Sequence, residues 1–148
     1  MFDRQMQDCI AESHRRLTSS KALLERLHTV NSAQAKCTVT SRVLVVDYRG
    51  VISLDTMRLL DRMVLPARMS TGASLESTLG ALTMFRGGGD VDRDVWTSAT
   101  PPSAAIVRPD QMDGALIFVQ LLAKLGVRRT CWLEEHRPIA QAWLAQYA

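Results

Sequence analysis

No stretch of this 148-residue chain carries an apolar run near the ~18 residues that would mark a membrane-spanning helix, so no membrane insertion is expected. The N-terminal stretch MFDRQMQDCIAESHRR is broken by acids and amides where a secretion signal needs an uninterrupted apolar core. Cysteine is scarce. Cys9, Cys37 and Cys131 are odd in number and form no close pair, which argues against a disulfide framework and fits a reduced, cytoplasmic setting. A dominant charge of one sign is missing too. The net charge is +3 and bases alternate with acids, so no electrostatic stripe for nucleic acid is expected. The pairs Arg15/Arg16 and Arg128/Arg129 read as solvated faces. The run Gly87–Gly89 has no neighbouring lysine–serine or lysine–threonine pair to hold phosphate, so it reads as a flexible loop.

What the chain does have is the composition of a folded domain, 47% apolar and 22% charged, at a length that suits one domain plus an appendage. The segment from Ser103 onward alternates strand and helix almost without gaps. SAAIVRP (103–109) is a short apolar run closed by proline, a buried strand. Asp110 is placed to cap the following helix. In that helix Met112, Leu116, Val119 and Leu122 recur at helical spacing, and Phe118, Leu121 and Leu125 widen the stripe. Gly126 stands where a left-handed terminator is needed. VRRTCWL (127–133) is the next strand. Glu134, Glu135 and Pro138 then suit the first turn of a last helix, whose apolar face is read as Ile139, Ala142 and Trp143. A strand–helix–strand unit of this length makes a parallel crossover.

Upstream, SRVLVVDYRG (41–50) is the strongest strand, and residues 42–47 are expected to be central with both faces apolar. Ser53 is a good cap for a helix bearing Leu54, Met57, Leu60 and Val64, which is expected to stop before Pro66. ARMSTGAS (67–74) reads as a loop. Residues 75–86 carry both helical and strand signals; strand is favoured because Gly80 weakens a helix by about 1 kcal/mol. Residues 87–102 form a long loop, a common seat of binding or mobility.

Residues 1–36 read as an appendage. From residue 3 to about 30, Met6, Ile10, Leu17, Leu24 and Leu27 follow a heptad register with Ser13 and Ser20 in the seam. That amphipathic helix either packs on its own domain or pairs with a second copy, making the five apolar residues a dimer seam. NSAQAKCT (31–38) is a polar connector. The α/β domain is assigned to residues 37–148, a mixed sheet in the order β-α-β-β-α-β-α.

Few residues suggest chemistry. Asp90, Asp92 and Asp94 open like a calcium loop, but Val95 replaces the turn glycine and Pro101 the closing glutamate. Cys131 and His136 are near in sequence, yet the cysteine lies in an apolar strand where thiols are usually inert. His14 and His28 are too far apart along the N-terminal helix to share a metal. Neither a metal nor a cofactor is expected, and nothing supplies a nucleophile with an oriented base.

The segments DYRGVISLDTMRLL and AAIVRPDQMDGALIFVQLLAKLGVRRTCWLEEHRPIAQAWL set strand, glycine turn and helix, and then strand, helix, glycine, strand and an Ala-x-x-Trp-Leu helix. Through them, residues 43–145 resemble the STAS-like superfamily, the fold of sulfate-transporter cytoplasmic domains and bacterial anti-sigma-factor antagonists. The closer likeness is to small bacterial stand-alone proteins of that type. The resemblance implies a non-enzymatic cytoplasmic regulatory or scaffolding module that binds a protein partner. A small-ligand or lipid-binding domain is the alternative, with Met57, Met63, Met69, Met84 and Met112 as candidate pocket residues. Antagonists of this family are switched by phosphorylation in an aspartate–serine–(serine/threonine)–glycine turn. Here MSTG offers Ser70 and Thr71 as the candidate phosphosite. Met69 replaces the aspartate, and a helix rather than a strand precedes the turn, so a plain connection is expected there.

Overall fold

The computed structural model describes residues 34–83 and 91–148. Five strands form one sheet in the order in which they occur: β1 (Ala35–Thr40), β2 (Val43–Ile52), β3 (Ala73–Thr83), β4 (Ser103–Val107) and β5 (Arg129–Leu133). β1 is antiparallel to β2, and every later neighbour is parallel. Between them run α1 (Leu54–Met69) and α2 (Met112–Lys124), and α3 (Arg137–Ala145) closes the chain. The fold is therefore α/β with a mixed sheet. The β-α-β-β-α-β-α order read from the sequence is present, preceded by one further strand. The heptad helix and its seam, Met6, Ile10, Leu17, Leu24 and Leu27, lie outside the described residues.

The extra strand is β1, over residues taken from the sequence as connector. Its composition is polar because it lies at the sheet edge: Ala35 and Cys37 are buried while Lys36, Thr38 and Thr40 face out. That is a period-two pattern with small or polar members, which looks like a linker until the partner strand is known. Ser41 and Arg42 close the hairpin with φ of 50° and 65°. A two-residue loop needs such left-handed conformations to match the strand twist.

β2 extends beyond residue 47 to Ile52, through a register shift against β3 between Asp47 and Arg49. It is flanked by β1 and β3, as a central strand should be, but its two faces differ. Leu44, Val46, Tyr48 and Ile52 are buried beneath α1 with Leu60, Val64 and Ala67, whereas Val43 and Val45 on the other face are half-buried. That second face packs on α3 chiefly further along the sheet, through Ala73, Leu75, Ala104, Ile106, Ala140 and Leu144. Both α1 and α2 lie on the first face.

Several boundaries differ from the sequence reading. α1 passes through Pro66 to Met69. Proline removes one helix hydrogen bond, but the last turn has other anchors. Ala67 and Arg68 are buried, and the Ser70 Oγ donates to the Pro66 carbonyl at 2.8 Å. Residues 75–83 are strand, as favoured, and β3 starts earlier, at Ala73. Asp110 does not cap α2; the Gln111 side chain accepts from the Arg108 N–H at 2.9 Å instead. The buried face of α2 carries Gly114 and Leu122, leaving Leu116 exposed. In α3 the buried residues are Ala140 and Leu144, with Ile139 exposed. Sets three or four apart can be drawn on more than one face of a short apolar helix, and tertiary contact selects among them.

Candidate functional site

The sheet face beneath α1 carries side chains that a core normally excludes. On α1, Asp61 and Arg68 lie two turns apart among Leu60, Val64 and Ala67, and all five are buried. Ser74 and Glu76 alternate inward on β3, Tyr48 comes from β2, and Arg129 from β5. Arg68 is the hub. Its Nε donates to Glu76 Oε2 at 3.1 Å, and its Nη2 lies 2.9 Å from Glu76 Oε1, 3.2 Å from Asp61 Oδ1 and 3.3 Å from the Tyr48 hydroxyl. Ser74 donates to Glu76 Oε2 at 3.0 Å, and Arg129 Nη1 stands 3.4 Å from Glu76 Oε1.

Two cations thus face two carboxyls out of water, where an unpaired charge costs several kcal/mol. Burial pushes the Glu76 carboxyl up, but Arg68, Arg129 and the hydrogen bonds from Arg68 and Ser74 outweigh it and hold the group at about 2. Asp61 goes the other way. Its burial and the nearby Glu76 outweigh the pull of Arg68 and raise it. Burial, then Glu76, also raises Tyr48 well above its ordinary range. Nη1 of Arg68 has no hydrogen-bond acceptor among the described residues, and the Trp96 ring lies 4.4 Å from the guanidinium carbon. A cation–π contact in so dry a setting is worth ~2 kcal/mol.

Trp96 is brought in by the described part of the long loop. The Asp92 carbonyl accepts from the N–H groups of Val95 and Trp96, and Asp92 Oδ1 from that of Asp94. Arg62 pins the turn to α1 through Asp92 at 3.0 Å. Asp92 therefore serves as a turn and ion-pair residue. Asp90 lies outside the described residues, and no group of metal-binding side chains occurs among those described.

Above this network, between α1 and α2 and toward the carboxyl ends of β2, β3 and β4, lies a cavity of about 130 Å³. In parallel sheets this end is where ligands are received. Its walls are Leu54 and Met57 from α1, Ala115 and Phe118 from α2, and Trp96, whose ring meets Phe118 edge-on at 5.5 Å. Tyr48, Asp61, Glu76, Thr78, Gln111 and Arg129 supply the polar lining. β3 outruns β4 here, and side chains occupy its spare carbonyls. Arg108 Nη1 donates to those of Leu79 and Ala81, and Gln111 Nε2 to those of Thr78 and Ala81.

Other candidates from the sequence lie apart from this site. Ser70 and Thr71 end α1, the Thr71 hydroxyl bonding the Ala67 and Arg68 carbonyls. The Cys131 thiol, raised by burial, faces the Met112 sulfur at 3.6 Å, while His136 meets the Trp132 ring. Of the five methionines only Met57 is among the cavity residues. Met63 packs in the core, Met69 is exposed, Met112 is half-buried, and Met84 is outside the described residues. Arg128 is a solvated residue as expected, but Arg129 is not. Its side chain is 9% exposed, and it lies over both Trp96 and Phe118. The sequence reading missed Asp61, Arg68 and Glu76. For Asp61 and Arg68 a signal was present, since Met57, Asp61, Val64 and Arg68 step by four, three and four along one helix face.

No protein-family model matches the sequence, and no curated protein matches it. A solved structure described as "Crystal Structure Analysis of Mglu" aligns at 9% identity and a TM-score of 0.33. The alignment covers 64% of this chain and 18% of that one, and so slight a likeness carries no argument. No described helix is long and apolar enough to cross a membrane.

Proposed function

We propose that this chain is a non-enzymatic, STAS-like regulatory module of the bacterial cytoplasm, whose domain receives a small ligand between α1 and α2. The observation that carries the ligand is the cavity itself, lined by Leu54, Met57, Ala115 and Phe118 beside a few polar groups and placed at the carboxyl end of the parallel strands. Binding rather than turnover is supported by how the polar groups are committed. Glu76 is held at about 2 by its ion pairs and is a poor base at neutral pH. The Thr78 hydroxyl donates to Gln111 Oε1, and the Gln111 amide donates in turn to the Thr78 and Ala81 carbonyls of β3. The STAS-like reading draws on the strand–glycine–helix and strand–helix–glycine–strand–helix units, with Gly50 and Gly126 at φ of 75° and 79°. Native mass spectrometry of the chain tests the ligand. A retained small-molecule mass that Ala115→Leu removes is expected. Both proteins appearing at their bare polypeptide masses would count against the reading.

A protein partner is the second reading, and one feature favours it. Val51 and Leu82 are paired in register on β2 and β3 past the bulge, 60% and 54% exposed. Adjacent apolar side chains left in water are the kind of element from which a protein-binding surface is built. A pull-down comparing the chain with Val51→Glu/Leu82→Glu tests it; a partner held equally by both would exclude this surface. Self-association through the N-terminal seam is a separate proposal. Leu17→Glu/Leu24→Glu should give a monomer by light scattering.

A further inference from the structure

We infer that the ligand is a single-ring aromatic anion, its ring between α1 and α2 and its carboxylate or phosphate on a basic shelf at the mouth. This rests on the ligand-binding reading above and adds the chemistry of the ligand.

The cavity does not stand alone. A second, open hollow of about 600 Å³ adjoins it, and the two share Arg58, Val91 and Asp92. The open hollow carries Arg58, Arg62, Arg93 and Lys124 against Asp92 and Asp94, four positive charges less two negative, or +2. Arg62 is taken by Asp92 at 3.0 Å. Arg58, Arg93 and Lys124 have no ion-pair partner among the described residues. They come from α1, the loop and α2, so three separate elements bring unpaired cations to one mouth. An anion there relieves their mutual repulsion.

The interior sets the opposite rule. Glu76 and Asp61 line the cavity with Arg129, and the charges of Arg129 and the underlying Arg68 are already taken by these two carboxyls, so an anion pushed inside would shed its water without gaining a free cation. The anionic group therefore stays at the shelf and the uncharged body enters. Trp96 and Phe118, in edge-to-face contact, and the Met57 thioether form an apolar lining suited to a ring. Size sets the limit. A dry cavity of about 150 Å³ accepts one benzene ring. At about 130 Å³ this cavity, open on the shelf side, is of the size that holds one ring.

Titration calorimetry of the full chain with phenyl phosphate, benzoate, phenol and inorganic phosphate tests the inference. The tighter of phenyl phosphate and benzoate should bind at least about tenfold more tightly than either phenol or inorganic phosphate. That margin should shrink as salt rises, a reading that needs no variant. Arg93→Glu/Lys124→Glu, at residues that line only the open hollow, should remove the margin and leave phenol unchanged. Ala115→Leu should abolish phenol binding and leave inorganic phosphate unchanged. The preference between benzoate and phenyl phosphate assigns the anionic group. Phenol binding as tightly as both phenyl phosphate and benzoate would overturn the anionic class while leaving the cavity as a ligand site. Inorganic phosphate binding as tightly as phenyl phosphate would overturn the ring. Failure of every aromatic compound to bind would overturn the aromatic class, and the ligand-binding reading falls with it only if native mass spectrometry also shows no retained mass.

Discussion

Arg68 and Glu76 meet in a two-point ion pair, Nε to Oε2 at 3.1 Å and Nη2 to Oε1 at 2.9 Å, with side chains 1% and 2% exposed. The pair joins the end of α1 to the centre of the sheet and underlies the cavity. Parallel guanidinium–carboxylate bonds are directional, so the pair fixes the rotation of α1 as well as its position. Ordinary apolar packing would set that rotation less sharply. The cavity walls supplied by Leu54 and Met57 depend on it.

Breaking one side of this pair should cost far more than replacing both. Glu76→Leu strands Arg68 in a dry site and should lower unfolding free energy by ~3–5 kcal/mol, whereas Arg68→Met/Glu76→Leu should recover at least ~2 kcal/mol of that loss. Urea denaturation of the single and double variants reads the difference. A double variant as unstable as the single one would mean that Arg68 is anchored by Asp61, Tyr48 and Trp96 without Glu76.

Acid should act on the same group. The Glu76 carboxyl falls from 4.5, its ordinary value, to about 2 in the folded chain. A depressed carboxyl contributes its stability fully above the unfolded value and loses it as pH drops toward the folded one. The contribution, about 3 kcal/mol, should therefore disappear between pH 4.5 and 2. Asp61 is raised above its ordinary 3.8, so its contribution has the opposite sign and reduces the net slope. Stability measured across this window should fall in the wild type and be flatter in Glu76→Gln. Equal slopes would show that other carboxylates govern the acid transition.

The elements with strong local signals were legible: the Val43–Val46 run, the Ser53 cap that receives the Thr56 N–H at 3.2 Å, and the Gly126 terminator. β1 was not, because its buried members are only Ala35 and Cys37. Pro66 misled because its helix-ending tendency is local, while the Arg68–Glu76 pair that carries the turn past it is tertiary. The site was the least legible part. Periodicity counts apolar residues, so Asp61 and Arg68 were passed over as ordinary polar positions on α1. Only the chain's return through β3 and β5 shows that Glu76 and Arg129 meet them.

Gly72 offers a test of the C-terminal closure. A Cβ there would lie 2.7 Å from the Tyr147 carbonyl oxygen and 3.2 Å from the Ala148 Cα, both backbone atoms. Gly72→Ala should therefore push the chain end away and destabilise by ~1–3 kcal/mol. Deleting Tyr147 and Ala148 in the same background should remove the clash. If Gly72→Ala is neutral in the full chain, the terminal residues do not pack there in solution.

The placement of Ser70 and Thr71 bears on the phosphoswitch. They follow the last turn of α1, whose free carbonyls make that end negative, and both hydroxyls donate to those carbonyls. A phosphate would meet unfavourable partial charge there, the reverse of its welcome at a helix N-terminus. Ser70→Asp and Thr71→Asp should each be less stable than the matching alanine variant by ~0.3–1 kcal/mol, a gap that narrows in high salt. Thermal melts of the four variants at two salt concentrations measure it. Partner capture should be unchanged between aspartate and alanine at either position. An aspartate variant that is more stable than its alanine counterpart, or that alone releases a partner, would restore the antagonist-type switch.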